Sequence, residues 1–238
     1  MFFDILTLFP SMFSGVFTDS IIRRAIDNKL ISIDVHNIRD HSEDDRHKSV
    51  DDYPYGGDAG MVLMPGPVAR AITASKERLV GKKPFVVLFT PRGEVMSQDV
   101  VKSFLVYESL ILVCGRYKGV DERISERYID REISLGDFVI SGGEIAAMAM
   151  VDAITRLLPG ALGNQESAQT DSFYNGLLSH PEYTRPEEFE EMKVPAVLLS
   201  GHHANIASWQ REKAIEITKQ RRPDLWERFL KIQSTDNK

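Results

Sequence analysis

The sequence predicts an α/β fold built on a mostly parallel sheet, followed by a small all-helical domain. Three observations carry that expectation. Phe85–Phe89 and Leu110–Cys114 are continuous apolar runs of strand length, the pattern of strands buried on both faces. Helix-length segments separate such runs, as in a sheet covered by helices on both sides. After Pro159 the chain turns polar and glycine-rich, and then helical.

In chain order, Phe2–Leu8 reads as the first strand. Asp19–Asn28 reads as a helix, with Asp19 or Ser20 as its cap and Ile21, Ile22, Ala25 and Ile26 on one face. Ile31–His36 alternates apolar and polar residues, as a half-buried strand does. Arg39–Pro65 has no period and is dense in charge and glycine; irregular stretches of this length in compact domains are usually functional or mobile. Pro67–Leu79 is the next helix, and Phe85–Phe89 a buried strand ended by the turn-forming Thr90-Pro91-Arg92-Gly93. Ser97–Phe104 reads as a helix, Leu110–Cys114 as a buried strand and Asp121–Tyr128 as a short helix. Asp137–Ile140 reads as a short strand, and Gly143–Leu158 as an apolar helix stopped by Pro159-Gly160. His180–Pro195 is turn-rich, and helical spacing returns from His202 through Ile206, Trp209, Ala214, Ile217, Leu225, Trp226, Phe229 and Leu230. The expected organisation is an α/β domain at 1–159, a flexible linker at 160–179 and a helical domain at 180–238.

A formal net charge of −6 argues against a generally basic nucleic-acid coat protein. It leaves room for local basic clusters at Arg23-Arg24, at Arg46-His47-Lys48 and from Arg211 to Arg222. Each alone is more often a solvated face than a phosphate site. No run approaches the ~18 apolar residues of a membrane span. Asp4 interrupts the apolar N-terminus, which has no basic leader, so no signal peptide is expected. The single cysteine, Cys114, excludes an intramolecular disulfide and fits a reducing, cytoplasmic location. Its apolar surroundings in sequence favour a buried thiol over a nucleophile.

The densest functional signal lies between Leu110 and Glu144. A buried strand there leads into Gly115-Arg116-Tyr117-Lys118-Gly119, and further on come Leu135-Gly136-Asp137 and Ser141-Gly142-Gly143 at a helix start. Glycine at a strand end lets main-chain groups approach a ligand without a Cβ in the way. A helix start adds free N–H groups. Ordinary strand-to-helix turns would explain one such loop; two together favour a small-molecule pocket. The G-x-G-x-x-G and G-x-x-x-x-G-K-[ST] patterns are absent, so neither a dinucleotide fold nor a P-loop is expected.

Four further features have two readings each. Asp171 stands in Gln169-Thr170-Asp171-Ser172-Phe173; a general base is one reading, but the residues alone favour an N-cap or Asx turn. Arg156, near the end of the apolar helix, either serves the helix dipole or points a guanidinium into a cleft. His41, Asp44, Asp45 and His47 are potential metal ligands. Their spacing matches no H-E-x-x-H pattern, which favours a solvated charged loop with no metal. Asp51–Met61, with its aromatics and glycines, either stacks a base or shapes a pocket, or closes a tight loop packed on itself.

Long ordered motifs carry a resemblance over nearly the whole chain. They are FDILTLFP, DRHKSVDDYPYGG, LILVCGRYKGVDER, SLGDFVISGGE, GALG, TDSF, HPEYTRP and VPAVLLSGHHANI. Together they resemble the bacterial tRNA (guanine-N1)-methyltransferases of the SPOUT superfamily. The resemblance implies a deep trefoil knot in the α/β domain, S-adenosylmethionine bound at that knot, and magnesium as a second candidate cofactor. It implies methylation of N1 of guanosine 37 in tRNA by a homodimer whose active sites draw on both subunits. It assigns cofactor contacts to Leu88, Thr90, Pro91, Gly115, Tyr117, Gly119, Leu135, Gly136, Asp137, Phe138, Val139, Ile140, Gly142 and Gly143. Asp171 falls on the general base and Arg156 on the catalytic arginine. tRNA contacts fall on Arg46, His47, Lys48, Ser167, Asp171, Arg185 and His203.

The chain departs from the usual pattern at three places. Tyr117-Lys118-Gly119 stands where YEG is usual, Gly57-Asp58-Ala59-Gly60 where GGPG is usual, and His202-His203 where NH is common. The first replaces a carboxylate by a cation beside a sulfonium. At this level the alternatives are a SPOUT enzyme acting on another RNA position, a non-catalytic RNA-binding module, and a phosphoesterase using His41–His47.

Overall fold

The computed structural model describes residues 1–163 and 170–236. The chain divides into two compact units, Met1–Gly163 and Asn164–Lys238.

The first unit runs β1 (Phe2–Thr7), α1 (Ser20–Asp27), β2 (Ser32–Asn37), β3 (Asp51–Asp52), β4 (Val62–Leu63), α2 (Pro65–Arg78) and β5 (Phe85–Val95). It continues through α3 (Gln98–Ser103), β6 (Ser109–Cys114), α4 (Glu122–Tyr128), β7 (Arg131–Ser134) and α5 (Glu144–Leu157). Five strands pair in the order β2-β1-β6-β5-β7, and every pairing is parallel.

Successive side chains of a strand point to opposite faces, so both faces need apolar residues. One face gathers Phe3, Ile5, Val87, Phe89, Leu110, Leu112 and Ile133 against Ile22 and Ala25 of α1, Val101 of α3, and Ala147, Met150 and Ile154 of α5. The other gathers Leu6, Val86, Leu88, Ile111 and Val113 against Val68, Ala71 and Ile72 of α2 and Ile124 of α4. All six residues of β6 are buried, which is why its sequence shows no alternation. Each such side chain contributes roughly 1.5–3 kcal/mol by leaving water.

Two expectations are corrected. Thr90-Pro91-Arg92-Gly93 does not end β5. The strand makes an excursion there and rejoins β7, with Phe89 and Glu94 both in register with Ile133. Gly93 makes this return possible, because a Cβ on it would sit 2.4 Å from the main-chain nitrogen of Ile133. Asp137–Ile140 is not a strand; the fifth strand is β7, before it. Arg131-Glu132-Ile133-Ser134 lies at the sheet edge and pairs only with β5. An edge strand needs little apolar sequence, so it left no apolar run to read.

Within Arg39–Pro65 the chain makes a 3-10 turn at Ile38–His41 and the antiparallel pair β3–β4. Val50 and Leu63 are buried and tie this stretch to the α2 side of the sheet. Among the described residues no helix is long and apolar enough to cross a membrane.

The second unit holds a two-residue hairpin, β8 (Glu188–Phe189) with β9 (Met192–Lys193), so it is not purely helical. Then come α6 (Ala196–Leu199), α7 (His203–Arg221) and α8 (Pro223–Asp236). Thr218 anchors the preceding segment: its Oγ1 accepts from the N–H of Leu178 at 2.9 Å and donates to the Ala214 carbonyl at 2.6 Å. Trp226 stacks on Phe229, and Lys219 Nζ lies 4.5 Å over the Trp226 ring.

Candidate active site

Parallel strands end on one side of a sheet, and their loops gather there. Here the excursion of β5, the loop after β6, the loop after β7 and the start of α5 enclose a cavity of about 950 Å³ in the first unit. Leu88, Phe89, Ile133 and Ala146 give it apolar surface. Its remaining walls are rich in main chain. Gly143 N–H donates to the Gly115 carbonyl at 2.9 Å, and Arg116 pairs with Gly142 as an isolated antiparallel bridge. A Cβ on Gly143 would come within 2.8 Å of Cys114 Cα, so only glycine lets these segments meet.

A buried polar network sets this junction. Glu144 is fully buried at the first position of α5. Its Oε1 accepts from Thr7 Oγ1 at 2.7 Å and from Arg116 Nε at 3.1 Å. Arg116 also donates to the Ser141 carbonyl at 3.2 Å, and its guanidinium lies 4.4 Å from the centre of the Phe9 ring. One arginine thus joins the ends of β1 and β6 to the loop entering α5. A charge this buried is tolerable only when paired and hydrogen-bonded. Beside it, burial pushes the Cys114 thiol well above its ordinary range, with Glu144 adding to the effect. That is the behaviour of an inert core cysteine.

The opposite wall comes from β3, β4 and their loop: Asp52, Tyr53, Pro54, Tyr55 and Val62–Pro65. Hydrogen bonds stitch this wall to the glycine loop. Lys118 N–H donates to the Met61 carbonyl at 3.0 Å, Leu63 N–H to Gly119 at 3.0 Å, and Asp121 N–H to Leu63 at 3.1 Å. Asp121 caps α4 by accepting from Arg123 N–H. The Arg123 side chain, first, holds the Asp121 carboxyl below its usual range.

Leu88, Thr90, Pro91, Gly115, Tyr117, Gly119, Leu135, Gly136, Phe138, Val139, Ile140, Gly142 and Gly143 all line the cavity. Asp137 does not, and it is exposed. Arg156 lies in the last turn of α5, partly buried. Asp171, Arg185 and His203 belong to the second unit and are exposed. Ser167 lies outside the described residues. Arg46, His47 and Lys48 stand exposed on a loop that Asp44 shapes: its Oδ1 accepts from the N–H groups of Arg46 and His47, and its Oδ2 from Ser49 Oγ. Those bonds, the one from His47 first, hold the Asp44 carboxyl below its usual range. The Glu144–Arg116–Thr7 network had no signature in sequence, since its members lie 28 and 137 residues apart.

The family model for tRNA (Guanine-1)-methyltransferase TrmD matches residues 1–228. The chain belongs to the TrmD family. Relatives bearing the name tRNA (guanine-N(1)-)-methyltransferase are similar along almost their whole length. That of Geobacter sulfurreducens is 53% identical over 225 residues, covering 94% of this chain and 91% of the relative. That of Clostridium perfringens strain SM101 is 52% identical over 235 residues, covering 99% and 97%. Within the TrmD family, then, this chain has a glycine-walled cavity and a lysine, Lys118, in its lining.

Proposed function

We propose that this chain methylates N1 of guanosine 37 in tRNA, next to the anticodon, using S-adenosylmethionine. The observation that carries this reading is the match to the TrmD family over residues 1–228, on a chain whose glycine loops enclose a cavity. The cavity suits the donor chemically. Apolar surface from Leu88, Ile133 and Ala146 fits a flat purine, and main-chain groups of the Gly115–Gly119 and Leu135–Gly143 segments can read its edge. For magnesium the described residues offer no grouping of three or more His, Cys, Asp or Glu side chains.

When bound, the sulfonium donor supplies an electrophilic methyl group. Guanine N1 carries a proton and becomes a good nucleophile only as that proton leaves. In our reading Asp171 accepts it. A carboxylate is a weaker base than the deprotonated guanine it would leave behind, so proton loss is expected to accompany methyl transfer. Arg156 stabilises the negative charge growing on guanine O6. An anticodon-loop base is already largely unpaired, which lowers the cost of drawing it out. Basic side chains at Arg46, His47, Lys48, Arg185 and His203 hold the tRNA backbone. We further read the Arg116–Gly142 junction as part of a trefoil knot, and the working form as a cytoplasmic homodimer with active sites shared between subunits.

The first test is mass-spectrometric mapping of the nucleoside modified in tRNA; 1-methylguanosine at position 37 is expected, and methylation elsewhere overturns the assignment. Asp171→Asn is expected to bind cofactor and tRNA normally while single-turnover methylation drops by two orders of magnitude or more. Near-normal turnover by that variant would remove Asp171 from the mechanism.

A further inference from the structure

Among the described residues four cationic side chains line the cavity, and three are committed to carboxylates. Arg92 Nη2 lies 2.7 Å from Glu122 Oε2, Arg123 Nη2 2.7 Å from Asp121 Oδ2, and Arg116 Nε 3.0 Å from Glu144 Oε2. Lys118 differs. Its Nζ stands 3.8 Å from Asp58 Oδ2, beyond hydrogen-bonding distance, and the Asp58 side chain is 81% exposed. So long and so wet an ion pair holds its partners weakly.

The rest of Lys118 is fixed. Its N–H donates to the Met61 carbonyl at 3.0 Å. Its stem runs along Gly60, where a Cβ would come within 3.1 to 3.5 Å of Cγ, Cδ and Cε. The backbone on either side turns through left-handed φ values, +60° at Tyr117 and +141° at Gly119. A tethered stem therefore carries a head group free to choose its anion.

We propose that Lys118 reads a carboxylate: its ammonium leaves Asp58 for the carboxylate at the amino-acid end of the methyl donor when the donor fills the cavity. This rests on the reading of the cavity as the donor site. The donor's sulfonium and amino group are both cationic, so a lysine in the lining gains only against that one anionic group. Lysine suits it, because an ammonium on a flexible stem follows an anion without needing the fork geometry of arginine. Asp58 keeps the ammonium satisfied while the cavity holds no anion. A tRNA phosphate is the other oxyanion within the reaction, and the test separates the two.

Calorimetry with two neutral-sulfur probes decides the point. S-adenosylhomocysteine carries the carboxylate, and 5′-methylthioadenosine lacks the whole amino-acid end. Lys118→Met, a substitution at a half-exposed side chain, is expected to keep the native melting transition. It should weaken S-adenosylhomocysteine about five- to tenfold, the loss of one charge-assisted hydrogen bond partly open to solvent. Binding of 5′-methylthioadenosine should stay within about twofold. Asp58→Asn, which removes the competing carboxylate, should tighten S-adenosylhomocysteine about twofold. Equal effects of Lys118→Met on both probes, or none on either, overturn the proposal. So does an unchanged S-adenosylhomocysteine affinity with weaker tRNA binding and a shallower salt dependence, which would assign Lys118 to a phosphate. Failure of the wild-type protein to bind S-adenosylhomocysteine would instead refute the donor-site reading itself.

Discussion

Gly142 shows how far a single residue's role depends on what folds onto it. A Cβ there would sit 2.3 Å from Arg116 Nε, 2.5 Å from its Cδ and 2.6 Å from Glu144 Oε2. A free arginine would swing aside. This one is pinned by Glu144 and by the Ser141 carbonyl. Gly142→Ala is therefore expected to destabilise the protein by about 2–3 kcal/mol, measured by denaturant unfolding, and to weaken cofactor binding. Gly15→Ala is the control, since a Cβ there meets nothing within 4 Å and should change stability little. The sequence showed Gly142 as a loop glycine at a helix start. Its need for glycine comes from Arg116, 26 positions earlier by numbering, and no local pattern encodes such a contact.

At the scale of elements, α4 depends on its cap. Asp121 accepts from the N–H of Arg123 at 3.0 Å and from both Nε and Nη2 of the Arg123 side chain. Asp121→Ala is expected to cost about 1 kcal/mol at neutral pH. The folded-state carboxyl titrates below its ordinary value of 3.8, with Arg123 as the main cause. The stabilisation is then complete above that value and is lost as pH falls through the lower, folded-state one. Wild type and variant should differ in chemical denaturation at pH 7, keep that difference down to the ordinary carboxyl value, and converge only once the pH falls below the lowered, folded-state one. Elements were legible where burial dominates. Leu110–Cys114 reads directly as a strand because all of it is covered. Arg131–Ser134 does not, because an edge position lets Arg131 and Glu132 stay partly exposed. Asp137–Ile140 shows the converse. Phe138 and Val139 are apolar yet 55% and 88% exposed, facing a cavity rather than a core, and an apolar pattern alone cannot tell those apart.

For the whole molecule, charge separates the two ligands of the proposed reaction. The net charge is −6, so tRNA binding must rest on local clusters such as Arg46-His47-Lys48, which stand exposed. Affinity for tRNA should fall linearly in log–log terms with salt, and Lys48→Ala should flatten that slope by about one. Cofactor affinity should change little over the same range, measured by calorimetry at 50 and 200 mM salt. An unchanged slope in the Lys48 variant would remove that loop from the tRNA surface. At this scale the glycine-loop cavity was visible in sequence because its two glycine loops and the start of α5 lie within Leu110–Glu144, although the β5 excursion at Leu88–Arg92 lies outside it. Its other wall, from Asp52 to Pro65, lies far away in the chain and required the fold to bring it there.

The main-chain character of the cavity has a pharmacological consequence. An inhibitor that draws its contacts from peptide groups around Gly115, Gly142 and Gly143 engages atoms no codon change can delete. Adding a side chain at Gly143 would collide with Cys114, and at Gly142 with Arg116, so escape there would disable the target. Resistance should instead arise where an inhibitor leans on exposed side chains such as Phe138 and Val139.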